Sequence, residues 1–365
     1  MRINNIDMFY KKSIGFMNEK LDLGLVSTAE FSQKQHLKVF LSAAADNTSA
    51  ESISDENPSL PSADTVLGNL RQQEWKSIKK DFDDVIRETI RSVDRQRWFK
   101  KPVVVAIDFH DDLYYGKADT EGIIGVKSER GTSRAFRIAT IEIVEFGRRF
   151  TLAALPIVKG MLQEDIVEYL INEAKKYVEI QCVLMDRGFY YVQVAKIVDK
   201  LGVEFIIFSK IYKNLKDVLD IIGERDVEMN RLIGTKYTDC VEVNFVSHYN
   251  KSRKMRFSYI TNMNLTPKKA YTLYRKRWGI ETGYRVKGDF KANTTSKSHT
   301  IRIAYLMISI CLYNIWVLVN LIVDSDVIKR FERIKTNKKY KPSITTRKVK
   351  KACLRLVLND IPCAI

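Results

Sequence analysis

The sequence predicts an α/β fold: a mixed β-sheet flanked by helices, with a helical region before the sheet and a small β insertion within it. Two observations predict this class. From about residue 99 onward, short apolar segments of strand character alternate with segments of helical periodicity. Further on, the segment 303–323 runs for 21 residues without a charge, and a helix of that kind needs a sheet or bundle around it.

Residues 1–98 are predicted to be helical. The segment 65–98 carries apolar residues at helical spacing. The segment 42–64 is rich in Ala, Ser, Asn, Asp and Pro, which predicts a linker or a long loop. We therefore expect a helical N-terminal region that ends near residue 98.

Residues 99–323 are predicted to form the main α/β domain. Strands are expected at Lys101–Phe109, Phe136–Phe146, Arg149–Val158, Ile180–Asp186 and Val203–Phe208. The second and third of these flank Gly147 and Arg148, which indicates a hairpin. Helices are expected at Glu164–Tyr177 and Phe189–Leu201. The order strand, strand, strand, helix, strand, helix, strand predicts a mixed sheet with helices on its faces.

The β insertion is expected at about residues 213–264. This part of the chain is less regular, but it contains two segments of strand character, Cys240–His248 and Met255–Thr261. A basic turn, 249–254, joins them. We therefore expect a small β unit between the last strand of the main sheet and the helix that follows.

That helix is expected to begin at Thr266 and Pro267, a capping hydroxyl followed by a proline in the first turn, and to run to about residue 290. It contains the sequence YRKRWGIETGYRVK, residues 274–287. Its helical spacing places basic, aromatic and acidic side chains on one face: Tyr274, Arg277, Glu281, Tyr284 and Arg285. A metal-binding carboxylate beside a nucleic-acid backbone is one interpretation, and a solvated helix with ordinary charge pairs is the other.

The uncharged segment 303–323 is long enough to cross a membrane. However, it contains Ser309, Asn314 and Asn320 and follows closely on the basic helix. We therefore interpret it as a core helix that is buried on all sides.

The chain is strongly basic, with a formal net charge of +17. Fourteen Lys or Arg lie between residues 251 and 302, and eleven lie between residues 329 and 351. This balance predicts a polyanionic partner, either nucleic acid or an anionic membrane surface. We expect a basic tail at residues 324–365, and an N-terminal region that is either a DNA-binding unit or a plain structural bundle.

Cysteine and histidine usage excludes several kinds of site. The five cysteines are scattered and never in CxxC spacing, which argues against a disulfide framework and a structural zinc site and fits a reducing compartment. The four histidines are isolated, so a histidine-based metal site is not expected. The N-terminus lacks the apolar core of a secretory signal, and we expect a cytoplasmic protein.

Two aspartates follow apolar strands. If these strands are parallel neighbours, Asp108 and Asp186 emerge at one edge of the sheet, where two close negative charges favour a divalent cation. Glu281, on the helix beside that edge, would complete an all-oxygen site suited to Mg²⁺ or Mn²⁺. For each aspartate, an acid that merely begins a loop is the alternative. Asp111 and Asp112, expected in the turn after the strand, could replace Asp108.

The chain resembles the DDE transposases of prokaryotic insertion sequences in three motifs: AID (106–108), MDRGFYY (185–191) and YRKRWGIETGYRVK (274–287). The group with a Tyr, Arg, Glu, Lys signature (YREK) is the closer match, because Tyr274, Arg277 and Glu281 have its Y-x2-R-x3-E spacing. The resemblance covers about residues 60–322 and implies a ribonuclease H-like core.

What the resemblance implies is cut-and-paste transposition of DNA. Asp108, Asp186 and Glu281 would be the catalytic residues and would bind two Mg²⁺ (or Mn²⁺) ions. Water would nick one strand at an element end, and the freed 3′-hydroxyl would form a hairpin that is reopened and joined to target DNA. The partners would be double-stranded DNA with terminal inverted repeats, target DNA and a second copy of the chain, in the prokaryotic cytoplasm at the nucleoid. No membrane partner is expected.

The resemblance also assigns side chains to DNA. Tyr274 and Arg277 would contact the backbone near the cleaved end. Arg187, directly after the second aspartate, would neutralise a phosphate or form a structural salt bridge. Trp278 is expected to pack in the core rather than to stack on a base.

One position departs from the family pattern. The family lysine is expected seven residues after Glu281, where Gly288 stands, and Lys287 at +6 points roughly 120° away from the glutamate. Either Lys287 reaches DNA through a distorted helix, or Arg285 replaces it. An inactive or domesticated DNA-binding relative therefore remains an alternative, as does a nuclease of the same fold without strand transfer.

Overall fold

The computed structural model describes residues 5–25, 28–94, 99, 101–145, 149–234 and 239–331. Five helices come first: α1 (Asn5–Lys20), α2 (Gln33–Asp46), α3 (Ala50–Glu56), α4 (Ala63–Arg71) and α5 (Trp75–Asp94). They confirm the predicted helical character of the N-terminal region.

The segment 42–64 is not the linker or long loop that its composition predicted, because it contains the end of α2, all of α3 and the start of α4. Two of its serines are helix caps. Ser49 Oγ accepts a hydrogen bond from the backbone N–H of Ser52, and Ser62 Oγ accepts one from Thr65, each at 3.2 Å. Serine favours helix caps as well as loops, so composition alone could not separate the two.

A mixed sheet follows. Its strands are β1 (Val103–Leu113), β2 (Ile124–Glu129), β3 (Thr132–Ile143), β4 (Thr151–Ile157), β5 (Ile180–Met185), β6 (Phe205–Phe208), β7 (Val227–Gly234), β8 (Cys240–Asn250) and β9 (Met255–Thr261). Three helices lie between them along the chain: α6 (Gln163–Lys175), α7 (Val192–Lys200) and α8 (Lys213–Ile222). The order across the sheet is β2-β3-β1-β5-β6-β9-β8-β7, and β4 also pairs with β3. The pairs β1–β5 and β5–β6 are parallel, and the remaining pairs are antiparallel.

The sheet is larger than the sequence predicted. Strand β1 continues through Leu113, and β2, β7 and α8 were not predicted. The residues of β2 are mostly exposed, so its apolar pattern is weak. Helix α8 was missed although its apolar residues have helical spacing, and Leu219 is its only buried residue. The predicted β insertion is present, and its strands extend the main sheet because β9 pairs with β6. The predicted hairpin residues Gly147 and Arg148 lie outside the described residues.

The long helix α11 (His299–Phe331) contains the uncharged segment. The stretch His299–Ile322 is long and apolar enough to cross a membrane, but 89% of its most apolar part is buried inside the protein, as expected of a core helix. It packs against α1, α2, α4 and α5 and also against β3 and β4. The N-terminal helices and the sheet therefore share one continuous apolar core.

A partly buried ion pair on α5 also connects this helix to α6, through a hydrogen bond to Tyr169. Lys79 on α5 lies 2.5 Å from Asp83 Oδ2 and donates a hydrogen bond to the hydroxyl of Tyr169 on α6. Burial raises the pKa of Asp83 to about 6, and Lys79 opposes that shift. Burial lowers the pKa of Lys79, but Asp83 and Tyr169 outweigh it, so the ammonium stays charged.

This pair gives a testable pH dependence of stability. An aspartate has a pKa of about 3.9 in an unfolded chain. Between about pH 4 and 6 the folded protein therefore binds more protons at Asp83, and the stability that this carboxyl contributes falls as the pH rises. An Asp83→Asn variant does not titrate there. We expect the free energy of unfolding of the wild type, relative to this variant, to fall by about 2 kcal/mol across that window, measured by urea unfolding. A constant difference would contradict this prediction.

Candidate active site

Asp108 and Asp186 lie side by side at one edge of the sheet. The parallel ladder between β1 and β5 ends with the pair Ile107–Met185, and each aspartate is the next residue of its strand. The prediction that the two strands are parallel neighbours is thus confirmed. Asp108 does not end its strand, however, because β1 continues along β3 for five more residues, to Leu113.

The side chain of Asp186 is held by the turn that follows it. Its Oδ1 accepts a hydrogen bond from the backbone N–H of Gly188 at 2.7 Å and so caps a short 3₁₀ turn, Arg187–Phe189. A Cβ atom at position 188 would lie 2.8 Å from this oxygen. Glycine is therefore required for the carboxylate to keep this position.

The sequence predicted one continuous helix for the segment that carries Glu281. The structure shows two helices instead. Helix α9 (Pro267–Tyr274) ends in a 3₁₀ turn, Arg275–Arg277, and α10 (Trp278–Gly288) begins directly after it. Three consecutive basic residues form the turn, and none of them is buried.

Arg277 lies between two of the predicted acids. Its Nη1 is 3.0 Å from Asp108 Oδ2, and its Nη2 forms a short hydrogen bond with Glu281 Oε1. Residues 169 positions apart in sequence thus meet through one guanidinium group. Burial raises the pKa of Asp108 to about 6; Arg277 opposes that shift, whereas the charges of Asp186 and Glu281 reinforce it. Asp108 is therefore close enough to Asp186 and Glu281 for their charges to raise its pKa.

The donor set suits a divalent metal ion, because three carboxylates supply the oxygen ligands that Mg²⁺ and Mn²⁺ prefer. Among the described residues, no group of three or more Asp, Glu, His or Cys side chains has the spacing to hold a metal ion as it stands. Arg277 provides the positive charge between Asp108 and Glu281 in this structure.

The structure places the predicted DNA-contacting residues differently from one another. Arg187 and Arg285 are exposed. Tyr274 is mostly buried, with its ring 4.7 Å from that of Tyr259, although it still borders the cavity described below. Trp278 was expected to pack in the core, but 64% of it is exposed.

The expectation that Lys287 contacts DNA does not agree with its placement. Its side chain is only 5% exposed, and its ammonium group pairs with Glu142, which is fully buried in β3. At +6 from Glu281 the side chain points toward the sheet. Gly288, at the family's lysine position, has open space around it.

The alternative acids have other partners. Asp111 forms a two-point salt bridge with Arg137, at 2.6 and 2.7 Å. Asp112 pairs with Lys291 and, at 3.3 Å, with Arg302. Both lie in β1 and not in a turn. These pairings support Asp108 as the acid of the site.

A cavity of about 630 Å³ opens beside Asp186. Aromatic and arginine side chains dominate its lining: Arg187, Phe208, Arg253, Phe257, Tyr259, Tyr271, Tyr274, Arg275, Arg277 and Trp278. Arg253 belongs to the predicted basic turn, but nothing in the sequence indicated that the insertion would place it near Asp186.

Comparisons with known proteins found one family match and a similar solved structure. Residues 163–315 match the family described as "Transposase DDE domain", a stretch that includes Asp186 and Glu281. A cryo-EM structure of a piggyBac transposase synaptic complex with hairpin DNA is similar to this chain, with a TM-score of 0.57 and 13% identity, over 98% of this chain and 80% of that one. At that identity the likeness concerns the fold. No curated protein matches the sequence at a significant level. The family match and the fold together support a DNA transposase of the DDE type.

Proposed function

We propose that this protein cuts the ends of a mobile element out of double-stranded DNA and joins them to target DNA, with Asp108, Asp186 and Glu281 as its catalytic residues. One observation carries the proposal. Asp108 and Asp186 lie next to each other, directly after the parallel ladder between β1 and β5, and Arg277 forms salt bridges with both Asp108 and Glu281. A partly buried cluster of like charges is costly unless it serves a cation or a reaction.

The three acids would hold two Mg²⁺ or Mn²⁺ ions, which, when bound, polarise the phosphodiester and activate the attacking water or 3′-hydroxyl. The chain itself sets the geometry. Asp186 is fixed by the N–H of Gly188, and Asp108 Oδ1 accepts the N–H of Phe109 at 2.9 Å. Arg277, released from the acids by the bound cations, would then be free to bind a phosphate oxygen.

A ribonuclease H-like core is part of the proposal. The order β4-β3-β1-β5-β6, with β3 antiparallel to β1 and the last three strands parallel, supports it. Tyr274, Arg277 and Glu281 support a place in the Tyr-Arg-Glu-Lys group of insertion-sequence enzymes. The hairpin DNA in the similar piggyBac transposase complex supports a hairpin intermediate here.

The DNA path is proposed from charge. Exposed Arg187 directly follows Asp186, exposed Arg285 lies four residues after Glu281, and Arg253 and Arg275 line the aromatic cavity. The basic tail, 324–365, would add nonspecific phosphate contacts; it lies outside the described residues from position 332 onward. The terminal inverted repeats, the homodimer, the absence of a membrane partner and the prokaryotic cytoplasm belong to the same proposal.

The decisive experiment incubates the protein with linear DNA that carries the element's flanking repeats, with and without Mg²⁺. We expect the wild type to cut and join these ends in Mg²⁺, and an Asp186→Asn variant to bind them without cutting. Equal products from the two proteins would reject the assignment. Binding without cutting by the wild type would indicate an inactive relative, and cutting without joining would indicate a nuclease.

A further inference from the structure

Two polar bridges connect helix α10 to the sheet beneath it. The hydroxyl of Tyr284 donates to the backbone carbonyl of Asp108 at 3.0 Å and lies 2.6 Å from Thr140 Oγ1. One turn further along, Lys287 pairs with Glu142. Thr140 Oγ1 also donates to Glu142 Oε1 at 2.9 Å, so the two bridges form one network.

The network is buried. Glu142 and Thr140 are fully buried, and the Lys287 ammonium lies 4.4 Å from the ring centre of Tyr284 and 5.2 Å from that of Tyr313 on α11. Burial lowers the pKa of Lys287, and the adjacent Glu142 opposes that shift. A buried ion pair is seldom better for stability than apolar side chains of the same size. Its presence here therefore points to a geometric role.

Helix α10 also lies unusually close to β3. A Cβ atom at Gly283 would be 2.7 Å from Glu142 Oε2, and one at Gly279 would be 2.9 Å from the carbonyl oxygen of Val144. These glycines, four residues apart, fall on the helix face that also carries Tyr284 and Lys287. Close contact and directional hydrogen bonds together leave the helix little freedom to slide or rotate.

We propose that Glu142, Thr140, Tyr284 and Lys287 act as positioning residues that fix the distance between Glu281 and Asp108. The inference rests on the proposed function, because it concerns the same metal-binding acids. Tyr284 lies three residues after Glu281 and holds the backbone of Asp108 itself. A shift of α10 would therefore change the distance between the two proposed metal ligands Glu281 and Asp108. Lys287 thus positions the acids through its buried contact with Glu142 and does not contact DNA.

The experiment measures Mn²⁺ affinity by calorimetry on the full chain, beside thermal stability and single-turnover cleavage. Residues that orient metal ligands typically change metal affinity 10- to 100-fold when replaced. We expect Lys287→Met and Glu142→Gln to weaken Mn²⁺ binding by about that factor. Tyr284→Phe keeps the ring and removes only the hydroxyl, so it should weaken binding in the same direction even if the charged variants fold poorly.

Lys79→Met is the matched control, because it breaks the other buried lysine–carboxylate pair, far from the acids in the chain. It should lower stability and leave Mn²⁺ affinity unchanged. Wild-type affinity in folded Lys287→Met and Tyr284→Phe would overturn the inference while leaving the proposed function intact. If the wild type binds no Mn²⁺ and Asp186→Asn behaves identically, the proposed function and this inference both fail.

Discussion

Replacing Asp108 with asparagine should slow DNA cleavage by about 1000-fold or more without unfolding the protein. Asparagine has nearly the size of aspartate, and its single amide oxygen can still accept one of the two hydrogen bonds that Asp108 accepts from the N–H of Phe109 and from Arg277, so the local packing should survive. It lacks the negative charge that a divalent ion requires. Metal ions contribute several kcal/mol to charge stabilisation in such reactions, and each 1.36 kcal/mol corresponds to a factor of ten in rate.

The matched control for this variant is Asp111→Asn, three residues further along β1. Asp111 is engaged with Arg137 and does not take part in the acid cluster. Its replacement should change the cleavage rate by less than about fivefold, since a partly exposed ion pair contributes at most ~1 kcal/mol and about 1.36 kcal/mol corresponds to a factor of ten in rate. Both variants should bind the DNA ends in a mobility-shift assay. If Asp108→Asn cleaved as fast as Asp111→Asn, Asp108 would not be a metal ligand.

The second large effect is on stability, at Asn314 in α11. Its side chain is fully buried, accepts the N–H of Thr151 at 2.9 Å and donates to the carbonyl of Thr151 at 2.8 Å. The register between β3 and β4 shifts next to this position, between Ile141 and Glu142. The amide of Asn314 therefore replaces ladder hydrogen bonds at a β-bulge.

An Asn314→Leu variant keeps the number and branching of the side-chain heavy atoms and removes both hydrogen bonds. Two buried backbone groups would be left unpaired, at about 1–3 kcal/mol each. We expect the free energy of unfolding to fall by roughly 2–5 kcal/mol, measured by urea unfolding followed by circular dichroism. Ser309→Ala, which removes a hydrogen bond within the same helix, should lower it by less than about 1 kcal/mol. Equal effects from the two variants would contradict the role of Asn314.

The sequence predicted the aspartates of the candidate site because the cause is local. An apolar run followed by an acid can be seen in the chain, and parallel pairing of two such runs brings their acids together. Glu281 could be found because helical spacing connects it to Arg277. The contact of Arg277 with Asp108 could not be predicted, because it depends on the 3₁₀ turn between α9 and α10.

Lys287 shows the limit of a family pattern. Helical geometry alone predicted that position +6 points away from Glu281, and the structure agrees. The family pattern favoured a DNA contact, and the burial of Lys287 does not agree with it. The partner, Glu142, had a visible signal, since an acid in the middle of an apolar strand needs a buried cation. That signal does not identify which cation. Strand β2 was missed because most of its residues are exposed and it has little apolar patterning. Helix α8, in the insertion, was missed although its apolar residues have helical spacing.

The central position of α11 has an evolutionary consequence. Because this one helix contacts both the sheet and four of the first five helices, an exchange of the first ninety or so residues between relatives would leave mismatched surfaces along it. Matching changes in α11 would be needed before such a chimera could fold. The part of the chain that precedes the acids and the part that carries them should therefore diversify in step, and new target preferences should arise through point substitutions sooner than through domain exchange.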